Sequence, residues 1–314
     1  MKRILKIGMD VHTTNYTLCA MEPIIGEDDR VFATIKVTPD YKNILLFIEN
    51  LKTKLGLNDE YDIQCGYEAG CLGYSLYNQL TAAGVKCVIL APTTMLTPQG
   101  VRIKTDMRDA YMIAQCLSYG GYHAVYIPTE DDDSVKEYLR MRNDHKLALK
   151  KIKQQINAFC IRHGFCYDGT KWTLKHLKWL KKLEITNELY RETLDEYMAS
   201  YEEQEAKIER YDKRIEEIAE QTKYHDKVKK LECFLGIKTH TALSLIVETG
   251  DFERFAKGNQ YASYLGLAPA ENSSSDSIHR LGITKAGNSH LRQLLIEASG
   301  GIYERKEMVY PWNE

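Results

Sequence analysis

Short apolar runs alternate with polar stretches through the first 125 residues, a pattern typical of a mixed β-sheet covered by helices. Three strand-like runs come first, and strands and helices then alternate. This order is compatible with an RNase H-like fold. The predicted strands cover residues 3–9, 15–21, 31–37, 61–67 and 85–90, and the predicted helices cover residues 41–55, 72–84 and 105–118.

The next pattern predicts one long helix, from about residue 134 to 164. Ser134 is the predicted N-cap, and Gly164 is predicted to end the helix. Apolar positions along this stretch are interspersed with lysine and arginine. We therefore expect a long helix with one packed face and one basic face.

A heptad pattern follows the basic stretch and is flanked by Glu, Lys and Arg, as in a coiled coil. It predicts a dimer, or alternatively an intramolecular hairpin with the preceding basic helix. One seam position is occupied by Leu194, Tyr201, Ile208 and Ile215, and the other by Tyr197, Gln204, Tyr211 and Ile218.

The last third, from about residue 229, has the pattern of a compact helical domain. Residues 234–242 resemble the turn of a helix-hairpin-helix, whose backbone amides can approach a phosphate. A serine-rich loop lies further on, between two glycine-containing segments. We expect three parts: residues 1–130, a linker over residues 131–228, and residues 229–314.

Composition is that of an ordinary soluble protein, with 44% apolar and 27% charged residues in a chain of 314. No apolar run is long enough to span a membrane. The eight cysteines include no CxxC pair, which favours reduced thiols and a cytoplasmic location.

The net charge of −2 conceals a strongly basic block. Residues 134–182 contain thirteen Lys and Arg against three Asp and Glu. This predicts a surface that binds phosphates, with Trp172 and Trp179 available to stack on bases. The alternative is a solvated helix face with both tryptophans in the core. The candidate nucleic-acid-binding residues are Arg140, Arg142, Lys146, Lys150, Lys151 and Lys153, with Lys285 and Arg292 near the C-terminus.

Four carboxylates occupy positions suited to a metal site for phosphoryl transfer. Asp10 and Glu68 each close a strand-like run, and Asp106 and Asp109 lie three apart at the start of a helix. Carboxylate oxygens are the ligands that Mg²⁺ and Mn²⁺ prefer. His12 would share a face with Asp10 if the strand continues, which would bring it near the metal; of the two roles, we favour a structural one.

These motifs, in this order, resemble the bridge-RNA-guided DEDD transposases of bacterial insertion sequences, the IS110 family. The resemblance covers nearly the whole chain. It rests on residues 8–12 (Gly-Met-Asp-Val-His), 67–70 (Tyr-Glu-Ala-Gly), 104–110 with both Asp residues, 266–269 (Gly-Leu-Ala-Pro), 287–288 (Gly-Asn) and 291–292 (Leu-Arg).

The resemblance implies a RuvC-like, RNase H-type domain, a helical and coiled-coil linker, and a C-terminal helical transposase domain. Asp10, Glu68, Asp106 and Asp109 would hold Mg²⁺ or Mn²⁺. Ser274 would attack DNA and form a phosphoserine link. The implied partners are an element-encoded bridge RNA, donor and target DNA, and further copies of this chain as a dimer or a tetramer on DNA.

Two departures from the family pattern keep alternatives open. Ser275 follows Ser274 where the family usually has glycine, so Ser273 and Ser275 are also candidate nucleophiles. The chain also ends sooner after this serine than family members generally do. The alternatives are an inactive or truncated nucleic-acid-binding relative, and a metal-dependent Holliday-junction nuclease that uses water.

Overall fold

The computed structural model divides the chain into two compact units, Met1–Ile127 and Pro128–Glu314. The finer division into residues 1–130, 131–228 and 229–314 stays a prediction. The structure describes residues 3–24, 26–56, 61–95, 105–271 and 280–303.

The first unit is a five-stranded mixed sheet with helices on both faces. The strand order is β3-β2-β1-β4-β5; β1 to β3 pair antiparallel, whereas β4 runs parallel to both β1 and β5. This topology matches the predicted RNase H-type arrangement. The elements are β1 (Arg3–Val11), β2 (Tyr16–Glu22), β3 (Arg30–Val37), α1 (Tyr41–Leu55), β4 (Tyr61–Glu68), α2 (Ser75–Ala82), β5 (Lys86–Leu90) and α3 (Asp106–Tyr119).

Alternation along β1 gives the sheet two different faces. Leu5, Ile7 and Met9 are fully buried and pack in one core with Ile44 and Phe47 of α1. Residues between them face the other way, towards α3, because successive strand side chains point to opposite faces. One face of the sheet therefore packs on α1, and the other packs on α3, where Leu90 meets Ile113 and Leu117.

The second unit contains helices and, among the residues described, one short two-stranded sheet. That sheet was not predicted, whereas the α/β unit followed by a helical C-terminal part is confirmed. The elements are α4 (Glu130–Arg162), α5 (Leu174–Lys181), α6 (Glu188–Ala219), α7 (His225–Glu232), α8 (Thr239–Thr249), α9 (Gly258–Tyr264), β6 (Pro269–Glu271), β7 (Arg280–Ile283) and α10 (Ser289–Tyr303).

The long basic helix α4 begins at Glu130, earlier than predicted. Thr129, not Ser134, is the N-cap: its hydroxyl accepts a hydrogen bond from the backbone N–H of Asp132 at 3.2 Å. Four acidic residues form its first turn, where the helix dipole favours negative charge: Glu130, Asp131, Asp132 and Asp133. Gly164 lies just beyond the end of the helix with φ +77°.

Helix α6 packs antiparallel against α4 within the same chain. Leu194, Tyr201 and Ile215 of the heptad seam are buried. This agrees with the alternative prediction, an intramolecular hairpin of α4 and α6. Trp172 stacks on Tyr201 with ring centroids 5.4 Å apart, and Trp179 packs in the same core. The structure therefore favours packing roles for both tryptophans, and a dimer through this seam stays a prediction.

Membrane insertion is not indicated by any helix in the described ranges, since none combines the required length and apolar character.

Candidate functional site

Two paired glycines allow α3 to lie directly on the sheet. Gly8 of β1 is opposite Gly66 of β4. A Cβ on Gly8 would lie 2.1 Å from the carbonyl oxygen of Ala110 and 2.3 Å from the amide nitrogen of Ala114, inside van der Waals contact. A Cβ on Gly66 would meet the Leu117 side chain at 2.8 Å. The α3 backbone therefore reaches β1 only because Gly8 has no side chain.

The same register places two acids on the α3 face. Asp10 follows Gly8 by two residues, and Glu68 follows Gly66 by two, so both side chains point towards α3. The parallel pairing of β1 and β4 brings them to the same edge of the sheet. Helix α3 begins with Asp106 at this edge, held by an N-cap in which the Thr105 hydroxyl accepts from the Arg108 N–H.

Asp10, His12 and Asp106 form a compact cluster at this edge. One ligand atom from each lies within 4.8 Å of the other two. His12 Nε2 is 3.2 Å from Asp10 Oδ2. Lys36 on β3 reaches the cluster from the other side, with its Nζ 2.8 Å from Asp106 Oδ2. Two carboxylates, an imidazole and an ammonium group therefore meet at one point.

The pKa values of the two carboxyl groups in the cluster are shifted in opposite directions. Burial raises the pKa of Asp10, and the nearby charges of Asp109 and Asp106 raise it further, against the opposing effect of His12. The hydrogen bond and charge of Lys36 hold the pKa of Asp106 below its usual range. The partly buried carboxylate thus has too little positive charge around it, a situation that a divalent cation would relieve.

The other two predicted ligands lie outside this compact group. Asp109 is half-buried one turn along α3, near enough to act on Asp10 through its charge. Glu68 is exposed at the carboxyl end of β4. The donor set still fits a hard divalent cation, because carboxylate oxygens dominate it and the separations suit a shared ion.

The two arginines predicted to bind nucleic acid from α4 make bidentate ion pairs within the second unit. Arg140 donates to Glu248 on α8 at 2.7 and 3.0 Å. Arg142 donates to Asp212 on α6 at 2.8 and 3.0 Å. These guanidinium groups hold helices together, so their role in binding phosphate stays a prediction.

The four predicted lysines of α4 differ in the contacts that their ammonium groups make. Lys153 lies over the rings of Trp172 and Tyr201, 5.3 Å from each centroid. Lys146 Nζ is 3.5 Å from Glu297 on α10. Lys150 and Lys151 are exposed. Of the four predicted lysines, Lys146, Lys150 and Lys153 border a groove of about 740 Å³ between α4 and α10.

Residues near the C-terminus build the base of the β6–β7 hairpin. Arg292 donates to the carbonyl oxygens of Leu265 and Ala286, and Lys285 is exposed with φ +56°. A Cβ on Gly266 would lie 1.9 Å from the Ala286 oxygen. These contacts hold the ends of the two strands close together.

The predicted nucleophile lies between β6 and β7 in the sequence. Ser273, Ser274 and Ser275 lie outside the described residues, so the assignment of the nucleophile stays a prediction. Residues 271 and 280, on either side, are paired in the sheet.

Sequence reasoning missed Lys36 and Glu248, and it gave His12 a structural role. The ion pairs of Lys36 and Glu248 join residues far apart in the chain, so no local pattern signals them. For His12 a signal was present, because it follows Asp10 by two residues.

Two family models match the chain. Residues 7–160 match a model of DEDD transposases of the IS110 type, and residues 228–309 match the transposase IS116/IS110/IS902 family. Among solved structures, Thermus thermophilus RuvC with a Holliday junction aligns with a TM-score of 0.27 at 10% identity, over 39% of this chain and 99% of the RuvC chain.

Curated relatives are similar over most of the sequence. The transposase for insertion sequence element IS1533 of Leptospira borgpetersenii is 34% identical over 262 residues, 82% of this chain and 73% of that protein. The putative transposase y4qE of Sinorhizobium fredii is 33% identical over 234 residues, 74% of this chain and 57% of that protein. The chain therefore belongs to the IS116/IS110/IS902 family of insertion-sequence transposases.

Proposed function

We propose that this transposase cuts and rejoins DNA at the cluster of Asp10 and Asp106, with a divalent metal bound there. The observation that carries the proposal is the meeting of these carboxylates at one sheet edge, where Asp10 is partly buried and short of positive charge. Glu68 and Asp109 at the same edge complete the proposed set of ligands. Mg²⁺ or Mn²⁺ is the ion that such an oxygen-rich set favours.

A bound divalent cation would stabilise negative charge on the phosphoryl group during in-line displacement. The residues themselves have three tasks. Asp10 and Asp106 fix the position of the centre, because β1 and α3 are in direct backbone contact at Gly8. Lys36 neutralises Asp106 before DNA arrives. Glu68, which is exposed, would leave its side of the site open to DNA, and the half-buried Asp109 would complete the ligand set.

We assign the nucleophile to Ser274, with Ser273 and Ser275 as alternatives, on the strength of the family resemblance. The serine Oγ attacks a DNA phosphorus, an Oγ–P bond forms, and the bond from phosphorus to one strand-end oxygen breaks. The serine proton passes to a base and the departing oxygen takes up a proton. Attack by the hydroxyl of another DNA end reverses these steps and releases the serine.

We also propose that the exposed side of α4 binds the phosphates of DNA or of an element-encoded guide RNA. Lys146, Lys150 and Lys151 support this role because they are exposed on one helix. A guide RNA that pairs with donor and target DNA would supply the choice of sites. Reversing the charge of Lys150 and Lys151 should weaken binding and reduce its salt dependence.

The decisive test incubates the purified protein with its element ends, guide RNA and Mg²⁺, and looks for a protein–DNA adduct that survives denaturation. We expect the wild type to form it and Asp10→Asn and Ser274→Ala to lose it. Asp62→Asn is the matched control, since Asp62 is an exposed acid at the opposite end of β4, paired with Lys86.

The alternative functions predict different results in this experiment. Strand cleavage that needs Asp10 but persists in Ser274→Ala and in both neighbouring serine variants would identify a nuclease that uses water. Binding without cleavage under any metal would identify an inactive relative. Loss of the adduct in Asp62→Asn as well would show that the assay reports folding.

We further propose that the carboxylates of one chain act with the serine of another in a dimer or tetramer. Asp10→Asn protein and Ser274→Ala protein, each inactive alone, should recover activity when mixed. A failure to recover, in mixed oligomers verified by crosslinking, would mean that each chain builds its own site.

A further inference from the structure

His12 stands at the metal cluster in a position that its sequence neighbours fix. It is the first residue after β1, and its backbone N–H donates to the carbonyl oxygen of Asn15 at 2.9 Å, closing the turn into β2. Its side chain is 54% exposed, so no core packing accounts for its orientation. The ring is therefore carried on a short, hydrogen-bonded turn and faces the carboxylates.

The His12–Asp10 separation matches that between adjacent ligands of one ion, and the cluster is compact enough for all three residues to reach a shared ion. Octahedral ligands about 2.1 Å from an ion lie about 3.0 Å apart when adjacent and about 4.2 Å apart when opposite. His12 Nε2 lies 3.2 Å from Asp10 Oδ2, and the ligand atoms of His12, Asp10 and Asp106 are all within 4.8 Å of one another. A nitrogen that only supported Asp10 from behind would have no reason to approach Asp106.

We propose that His12 is a nitrogen ligand of the metal, and that it makes the centre prefer Mn²⁺ to Mg²⁺. An imidazole nitrogen is a softer donor than a carboxylate oxygen and suits transition metals better than Mg²⁺. One imidazole among carboxylates therefore shifts the preference without excluding Mg²⁺. The proposal rests on the proposed function only in requiring that the carboxylate cluster bind a divalent cation.

The competing role is purely orienting: His12 would donate a hydrogen bond to Asp10, and Asp10 alone would bind the ion. Loss of such a supporting residue also weakens metal binding, by roughly 10–100-fold. Affinity by itself thus does not separate the two roles. A direct metal–nitrogen bond does.

The experiment loads full-length protein with Mn²⁺ and records pulsed electron paramagnetic resonance, in which a coordinated imidazole nitrogen gives a characteristic coupling. We expect that coupling in the wild type and its loss in His12→Ala. His225→Ala is the matched control, since His225 is a partly exposed histidine of the second unit paired with Asp226. Calorimetry should show the ratio of Mn²⁺ to Mg²⁺ affinity falling on the order of tenfold in His12→Ala.

The outcomes separate this proposal from the function on which it rests. Tight Mn²⁺ binding without nitrogen coupling in the wild type would overturn the His12 assignment and leave the carboxylate centre intact. Coupling that persists in His12→Ala would also overturn it, because another histidine must then supply the nitrogen. Binding of Mn²⁺ that is absent, or unchanged in Asp10→Asn, would overturn both the ligand role and the metal centre.

Discussion

The two units each contain a cluster of charged side chains, and the clusters differ in how completely their charges are matched. Around Asp10, burial raises the pKa of the carboxyl group, and nearby acids raise it further. Around Glu248 the opposite holds. Its side chain is 5% exposed and accepts two hydrogen bonds from Arg140 and one, at 3.0 Å, from Asn288.

The difference separates a binding site from a structural joint. Glu248 ties α4 to α8 and to the start of α10, and every contact it needs comes from its own unit. Asp10 has one hydrogen-bond partner from His12 and repulsion from two acids. Incomplete charge matching in a partly buried site is costly in the free protein, which is why it supports the proposed cation site.

The largest effect on stability should come from breaking the matched cluster. Glu248→Ala removes the carboxylate that Arg140 and Asn288 share, and we expect the free energy of unfolding to fall by about 3 kcal/mol. This is the lower end for a broken buried pair, because Arg140 is 45% exposed. Urea unfolding followed by circular dichroism measures it.

The control is Glu217→Ala, which removes a surface partner of Arg214 and should cost less than about 1 kcal/mol. Similar losses in both variants would mean that the Glu248 cluster is no more structural than an ordinary surface pair.

Acid should weaken the second unit through His240. Burial lowers the pKa of this histidine to about 4, with Arg142 adding to the effect, and Nε2 has no hydrogen-bond partner in the described structure. The unfolded chain binds the proton more tightly between pH 6.5 and 4. Stability is therefore complete above pH 6.5 and falls as the pH drops towards 4, by up to about 3 kcal/mol.

Unfolding free energies of the wild type and His240→Gln, compared at pH 7 and pH 5, isolate this contribution. The variant should lose less stability over that interval. Parallel curves would show that the histidine is protonated in the folded protein without penalty.

Neutralising Asp10 in the unmatched cluster should increase the stability of the fold, whereas removing Glu248 should decrease it. A raised carboxyl pKa means that ionised Asp10 destabilises the fold at neutral pH. Without added metal, Asp10→Asn should therefore raise the melting temperature at pH 7, and the gain should vanish as the pH falls through the ordinary carboxyl range. Asp62→Asn should show no gain. With Mn²⁺ present the order should reverse, because only the wild type binds the ion tightly.

The smallest effect is expected for Lys36→Gln. Its ion pair with Asp106 joins two partly exposed side chains, so we expect no measurable change in melting temperature. Removing the competing cation should tighten Mn²⁺ binding a few-fold, measured by calorimetry. A clear loss of stability would place Lys36 with the structural ion pairs of the second unit.

Much of the first unit could be predicted because its signals are local. The strands ending near Asp10 and Glu68 show a two-residue alternation, and the cap before Asp106 lies beside a helical pattern. Family resemblance then explained why three separate segments carry acids. The contact between β1 and α3 needed the structure, since it depends on Gly8 meeting Ala110 across the sheet.

The basic block shows why the remainder could not be predicted. A count of charges along residues 134–182 finds cations with few acids, which favours a phosphate-binding surface. The acids that engage Arg140 and Arg142 come from α8 and α6, at Glu248 and Asp212. Local composition carries no information on partners so distant in the chain, and only the exposed lysines keep the predicted character.

The geometry of the proposed metal cluster depends on the absence of a side chain at Gly8. Any other residue at this position would push α3 off the sheet and carry Asp106 away from Asp10, although neither acid had changed. Comparisons of relatives that track only the acids would overlook such a change. If the proposed metal site is correct, a relative can keep all four carboxylates and still be inactive, so the residue at this glycine position should be inspected together with the acids.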